Sequence, residues 1–285
     1  MKVVIAKGAG YCFGVERALN LAQQSLKNSI NPLWTFGSII HNPQVVEFLK
    51  EKGLSPVKNL DEISTGTIII SSHGVSPGIL RQARKKGIKI IDATCPYVKK
   101  AQFCASKLVK ENYNLVVVGD PNHPEVKGIL AHAGRDAEVI EKVSDVKRIK
   151  PAKKIGVVVQ TTQSPELLQG VVSDLVLLTS DLKVFNTICD ATAKKQEAAQ
   201  KLARQADVML VVGGRNSANT TRLAQICEAS GTPTYHIEVA SEIDLSWFRE
   251  DSLVGITTGA STPDWILSEV IQQLDGISRN ISKTK

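Results

Sequence analysis

Three cysteines, Cys12, Cys95 and Cys189, each stand between a short apolar strand and a segment of helical period, in VVIAKGAGYC, IKIIDATC and VFNTIC. A thiolate there has free helix-end amides beside it and an open edge before it, a setting for a metal ligand or a reactive sulfur. After each cysteine the apolar positions fall at helical spacing: Val15, Ala18, Leu19, Ala22 and Leu26; Val98, Ala101, Ala105, Leu108 and Val109; Ala198, Leu202, Ala203 and Ala206. The other two cysteines, Cys104 and Cys227, lie inside apolar helical stretches and read as small buried hydrophobes.

The elements around these cysteines repeat. A strand ending in glycine and a polar turn follows each helix, in LWTFGSIIHNP, LVVVGDPNHPE and MLVVGGRNSAN, with Gly37, Gly119 and Gly213 lying 25, 24 and 24 residues beyond their cysteines. The fourth residue past each glycine is His41, His123 or Ser217. A second strand and turn follow, in IIISSHGVSP, VVVQTTQSP and VGITTGASTP. Aligned on Pro77, Pro165 and Pro263, these turns place His73, Thr161 and Gly259 at one position, with Ser261 nearby. Such self-similarity implies three copies of one α/β unit with parallel sheets, whose ligand edge is the carboxyl end of the strands.

The expected organisation is three pseudo-equivalent, doubly wound α/β domains, 7–95, 96–188 and 189–285. The third copy has no closing strand of its own, so the N-terminal strand within 1–6 is expected to complete its sheet. The chain would then form a trefoil with the three cysteines at its centre.

Composition narrows the function classes. With 285 residues, 42% of them hydrophobic and 22% charged, the chain is ordinary globular material with room for a large core. The opening MKVVIAKGAG has four apolar residues after Lys2 before Lys7 interrupts, so no secretory leader is expected, and no apolar run approaches the length of a membrane span. A cytoplasmic, reducing setting makes disulfides a poor use of five cysteines. The net charge of +7 comes with lysines in dispersed pairs, such as Lys99-Lys100 and Lys194-Lys195, read as solvated helix faces. No basic tract interleaved with aromatics points to nucleic acid; a small anionic substrate or acidic redox partner suits the charge better. The GxxxxGK[ST] loop of nucleotide hydrolysis is absent from the sequence.

Three inward-facing thiolates leave two metal chemistries open. Zinc would take a fourth ligand to close a structural site, although no CxxC pair is present. An iron-sulfur cubane held by three cysteines would keep one iron free for substrate. A thiol-dependent phosphatase or transferase is a further alternative. The imidazoles and hydroxyls of the repeated turns, with Asn219, suit a phosphate or diphosphate. Glu125, after His123 and Pro124, reads either as a first-turn acid favoured by the helix dipole or as a proton carrier near Thr161.

The segments AGYCFGVERAL, GSIIHNPQVV, SSHGVSP, DATCPYV, GDPNHPEVKG, QTTQS, ICDATAKKQEA, GGRNSANTTRL and TTGASTPDWI, in this order from first strand to last helix, resemble the 4-hydroxy-3-methylbut-2-enyl diphosphate reductase (IspH/LytB) family. The resemblance implies one 4Fe-4S cluster per chain, ligated by Cys12, Cys95 and Cys189 with one iron site open. It implies reductive dehydroxylation of an allylic diphosphate to isopentenyl and dimethylallyl diphosphate, the last step of the methylerythritol phosphate route to isoprenoids. By the family's pattern, His41, His73, His123, Ser217, Asn219 and Ser261 hold the diphosphate, Glu125 donates a proton, and Thr161 contacts the substrate and assists. A ferredoxin or flavodoxin as electron donor, and a monomeric chain, are implied likewise. One departure is Ala218, where the family often has serine; a modest change in affinity is expected from it.

Overall fold

In the computed structural model, which describes residues 1–281, the repeat becomes three four-stranded sheets in which every strand pair is parallel. The chain begins with β1 (Lys2–Ile5), α1 (Phe13–Asn28), β2 (Leu33–Phe36), α2 (Pro43–Glu51), β3 (Leu54–Val57), β4 (Thr67–Ile70), α3 (Pro77–Lys85) and β5 (Lys89–Asp92). It continues with α4 (Pro96–Lys110), β6 (Asn114–Val118), α5 (Pro124–Ala133), β7 (Glu138–Ile140), β8 (Ala152–Val159), α6 (Pro165–Leu175) and β9 (Thr179–Phe185). The last copy runs α7 (Asp190–Ala203), β10 (Val208–Val212), α8 (Ala218–Ala229), β11 (Thr234–Ile237), β12 (Leu253–Thr258) and α9 (Asp264–Ile281).

The strand orders are β3-β2-β4-β5, β7-β6-β8-β9 and β11-β10-β12-β1, one pattern used three times. β5 and β9 close the first two sheets and lead to the next cysteine. In the third sheet that place belongs to β1, paired from Lys2 against Leu253 to Ile5 against Ile256, and it leads to Cys12. The described residues group into two compact units: one contains Met1–Phe13, His41–Val45 and the chain from Asp190, with the third sheet, and the other contains Gly14–Ile40 and Val46–Cys189, with the first two sheets.

The third sheet is covered on both faces, which is why its central strand β10 is a continuous apolar run. In β10, Val208, Leu210 and Val212 join a core with Ile266, Val270 and Leu274 of α9. The alternate residues Met209 and Val211 point the other way, to Ala199 and Leu202 of α7 and Leu223 of α8. Proline at the first position of α3, α4, α5 and α6 sets the helical φ directly after a turn. Strand, turn and helix start are thereby fixed together at the carboxyl edge.

Two details differ from the sequence reading. Each sheet has a further edge strand, β3, β7 or β11, too short and too irregular in burial to carry a period; β3 contains Pro56, which an edge strand tolerates. The turns after β4, β8 and β12 also differ in length, so their prolines are not equivalent. Counted from the strand ends Ile70, Val159 and Thr258, it is Ser72, Thr161 and Ala260 that correspond, and then His73, Thr162 and Ser261.

Helix and sheet approach closely where a central strand carries glycine. A Cβ on Gly156 of β8 would stand 2.7 Å from Leu108 Cδ2 of α4, and one on Gly255 of β12 would stand 3.0 Å from Leu202 Cγ of α7. Denaturant unfolding is therefore expected to show Gly156→Val destabilised by about 1–3 kcal/mol through overpacking. Leu108→Ala should lose about 2–5 kcal/mol through a cavity, and the double variant should lose less than the sum; strict additivity would contradict this packing.

Candidate active site

All three cysteines are held by one backbone hydrogen bond at the carboxyl edge of their sheets. Cys12 N donates to Ala260 O at 3.1 Å, Cys95 N to Ser72 O at 3.0 Å and Cys189 N to Thr161 O at 3.0 Å. Each acceptor is the second residue after its strand. None of the five cysteines is in a disulfide; Cys12, Cys95 and Cys189 are partly exposed, whereas Cys104 and Cys227 are buried in α4 and α8. Cys95 is the N-cap of α4, and its thiol makes no capping hydrogen bond. Position and exposure therefore separate the three edge cysteines from the two core ones, and soft sulfur donors of this kind suit an iron-sulfur group.

In the two-sheet unit, the turns after β6 and β8 meet. His123 is the N-cap of α5, and its Nδ1 accepts from Glu125 N at 3.1 Å. With Nδ1 an acceptor, the neutral ring carries its proton on Nε2, where it can donate to a ligand. His73 stands edge-on to it, the ring centroids 5.6 Å apart. Glu125, in the first turn of α5, is 1% exposed. Its Oε1 accepts from Thr161 N at 2.7 Å and its Oε2 from Thr161 Oγ1 at 2.9 Å.

Burial pushes the Glu125 carboxyl up to about 7, against the two Thr161 hydrogen bonds that favour the carboxylate. It can therefore hold or release a proton near neutral pH. When protonated, the carboxyl can donate to Thr161 Oγ1, which leaves the hydroxyl hydrogen able to turn elsewhere. The Thr161 carbonyl meanwhile holds Cys189, so the buried carboxyl and the cysteine are tied to one residue.

In the other unit, Ser217 caps α8, its Oγ accepting from Thr220 N at 3.4 Å. Ala218 begins that helix and Asn219 follows it, only 3% exposed. Both polar side-chain atoms of Asn219 lack a partner, an arrangement that is costly unless a polar ligand supplies one. Ser261 Oγ donates to His41 O at 2.9 Å, and burial lowers the His41 pKa below its ordinary value, keeping the ring neutral. Gly259 carries no side chain because a Cβ there would stand 2.1 Å from Thr220 Oγ1.

The pairing Lys194-Lys195 is not simply a solvated face. Lys194 is exposed, but Lys195 is 6% exposed, with Nζ donating to Gly10 O at 2.6 Å. Burial pushes its ammonium down to about 8, while the electrostatic influence of Cys12 works in the opposite direction. The signal lay in the spacing: Lys195, Ala199 and Leu202 fall on one helical stripe, and the latter two are core. Among the described residues no group of three or more His, Cys, Asp or Glu is arranged to hold a single metal ion, and no helix is long and apolar enough to cross a membrane.

Known proteins resemble this chain over nearly its whole length. A family described as LytB protein matches residues 3–275. Proteins named 4-hydroxy-3-methylbut-2-enyl diphosphate reductase are 49% identical over 279 residues in Pelobacter propionicus and 50% identical over 281 residues in Citrifermentans bemidjiense; each alignment covers 98% of this chain and 99% of the relative. A solved structure of (E)-4-hydroxy-3-methyl-but-2-enyl diphosphate reductase, the terminal enzyme of the non-mevalonate pathway, is 44% identical, covers 97% of this chain and 100% of its own, and has a TM-score of 0.72. The structure of E-1-hydroxy-2-methyl-but-2-enyl-4-diphosphate reductase from Plasmodium falciparum is 28% identical, with 96% and 87% covered and a TM-score of 0.91. A match of this length and identity, on a chain whose three edge cysteines are held alike, means that it belongs to the LytB family.

Proposed function

We propose that this chain is a 4-hydroxy-3-methylbut-2-enyl diphosphate reductase, the final enzyme of the methylerythritol phosphate route. With two electrons and two protons, it removes the allylic hydroxyl of its substrate as water and yields isopentenyl or dimethylallyl diphosphate. The observation that carries the reading is near-half identity to reductases of that name across 98% of the chain. The non-redox zinc alternative has no support among these relatives.

Cys12, Cys95 and Cys189 would hold one 4Fe-4S cluster with one iron left open. When bound, that group supplies single electrons and Lewis acidity. The shared hydrogen bond and partial exposure of these three cysteines support the assignment. His41, His73, His123, Ser217, Asn219 and Ser261 would bind the diphosphate: the His123 Nε2 proton and the unpartnered Asn219 amide are donors suited to phosphate oxygens. Holding that end orients the allylic carbon for reduction. Glu125 would donate the proton for the departing hydroxyl through Thr161. A small one-electron carrier such as a ferredoxin or flavodoxin would supply electrons to a monomeric, cytoplasmic enzyme.

Anaerobically purified protein is expected to be brown, to contain iron and sulfide, and to form both products with a one-electron reductant. Cys95→Ser should lose the cluster and the activity, and Cys104→Ser should keep both. Colourless wild-type protein carrying stoichiometric zinc would contradict the reading. Glu125→Gln should bind substrate but reduce it roughly 10²–10⁴-fold more slowly, the contribution usual for a positioned acid. Because the acid form of Glu125 is the donor, wild-type turnover should fall as pH rises through about 7. The Gln variant should lack that limb, and normal turnover in it would move the donor elsewhere. Ala218→Ser adds a hydroxyl beside Asn219 and should change KM a few-fold with kcat held; a large change in kcat would contradict a role confined to binding.

A further inference from the structure

Lys195 is a buried cation that the reaction above does not use. It lies on the core stripe of α7, and its stem runs past Gly8, where a Cβ would stand 3.8 Å from Lys195 Cγ. Its Nζ ends on Gly10 O, and Gly8 and Gly10, both at positive φ, curl the chain around it just before Cys12. A carbonyl accepts one hydrogen but brings no net charge, and a lysine this deeply buried is costly unless an anion balances it. Gly10 lies two residues before Cys12, so the ammonium is held in the loop that carries that cysteine.

We infer that Lys195 is a positioning residue that fixes a positive charge beside the Cys12 ligand and thereby stabilises the reduced state of the centre bound there. The inference rests on the cluster reading given above. Each reduction adds one electron from a one-electron donor and makes the centre more negative by one charge. A nearby buried ammonium favours that state, whereas an exposed one is screened by water and salt. The cation therefore raises the midpoint potential. Lys194, next in sequence and exposed, provides the matched control.

The test is a dithionite redox titration of anaerobically reconstituted protein, followed by electron paramagnetic resonance, with iron and sulfide counted per chain. Lys195→Met and Lys195→Gln are expected to shift the midpoint potential to more negative values, Lys195→Arg to restore it, and Lys194→Met to leave it at the wild-type value. Loss of the cluster from Met and Gln variants but not from the Arg variant also supports a need for the charge. The inference is overturned if the neutral Lys195 variants keep the wild-type potential, if Arg shifts it as far as Met, or if Lys194→Met shifts it equally. Wild-type protein that takes up no iron-sulfur cluster overturns the underlying reading instead, and the inference with it.

Discussion

The structure depends on one interaction made three times: a cysteine N–H donated to the carbonyl of the second residue beyond a neighbouring parallel strand. It ties the end of the closing strand to the turn of the strand beside it, so the thiol cannot move independently of the sheet edge. A parallel sheet already gathers its loops at the carboxyl end. This bond selects one atom from that edge and fixes where it starts. It also explains the role of β1, which takes the closing place in the third sheet and delivers Cys12 as β5 and β9 deliver Cys95 and Cys189.

The same turns serve different chemistry because the acceptor residue varies while its backbone role does not. In the first copy it is Ser72, and the next residue is His73. In the second it is Thr161, whose amide and hydroxyl bind the buried Glu125 while its carbonyl holds Cys189. In the third it is Ala260, followed by Ser261, whose hydroxyl reaches His41 O. One scaffold thus carries a buried carboxyl in one copy and different polar groups at the same turn in the others. The burial that raises the Glu125 pKa arises from its place in the first turn of α5, packed beneath the turn after β8.

Much of this was legible in the residues. Equal spacing from cysteine to glycine revealed the copies, and the apolar period after each cysteine identified the covering helices. The strand before Cys12, alike in kind to those before Cys95 and Cys189, pointed to β1 as the edge of the third sheet, and Cys104 and Cys227 fell on buried helix faces. What stayed hidden was determined by three-dimensional crowding rather than by period. The edge strands β3, β7 and β11 carry three or four residues each, too few for a pattern. Proline looked like a fixed marker, yet the turns before it vary in length, which shifted the correspondence of Thr161 and His73. Lys195 was read by residue type as surface although its spacing placed it with the core, and the space taken by Thr220 beside Gly259 has no sequence signature.

The central claim is that three equivalent cysteines serve one cluster and leave one of its irons without a thiolate. Mössbauer spectroscopy of wild-type protein reconstituted anaerobically with ⁵⁷Fe, recorded with and without the allylic diphosphate, tests this most directly. The account predicts a cubane spectrum in which three irons are alike and a fourth is distinct, with only the fourth changing when substrate is added. A spectrum of four equivalent thiolate-bound irons, or one with no site that responds to substrate, would contradict it.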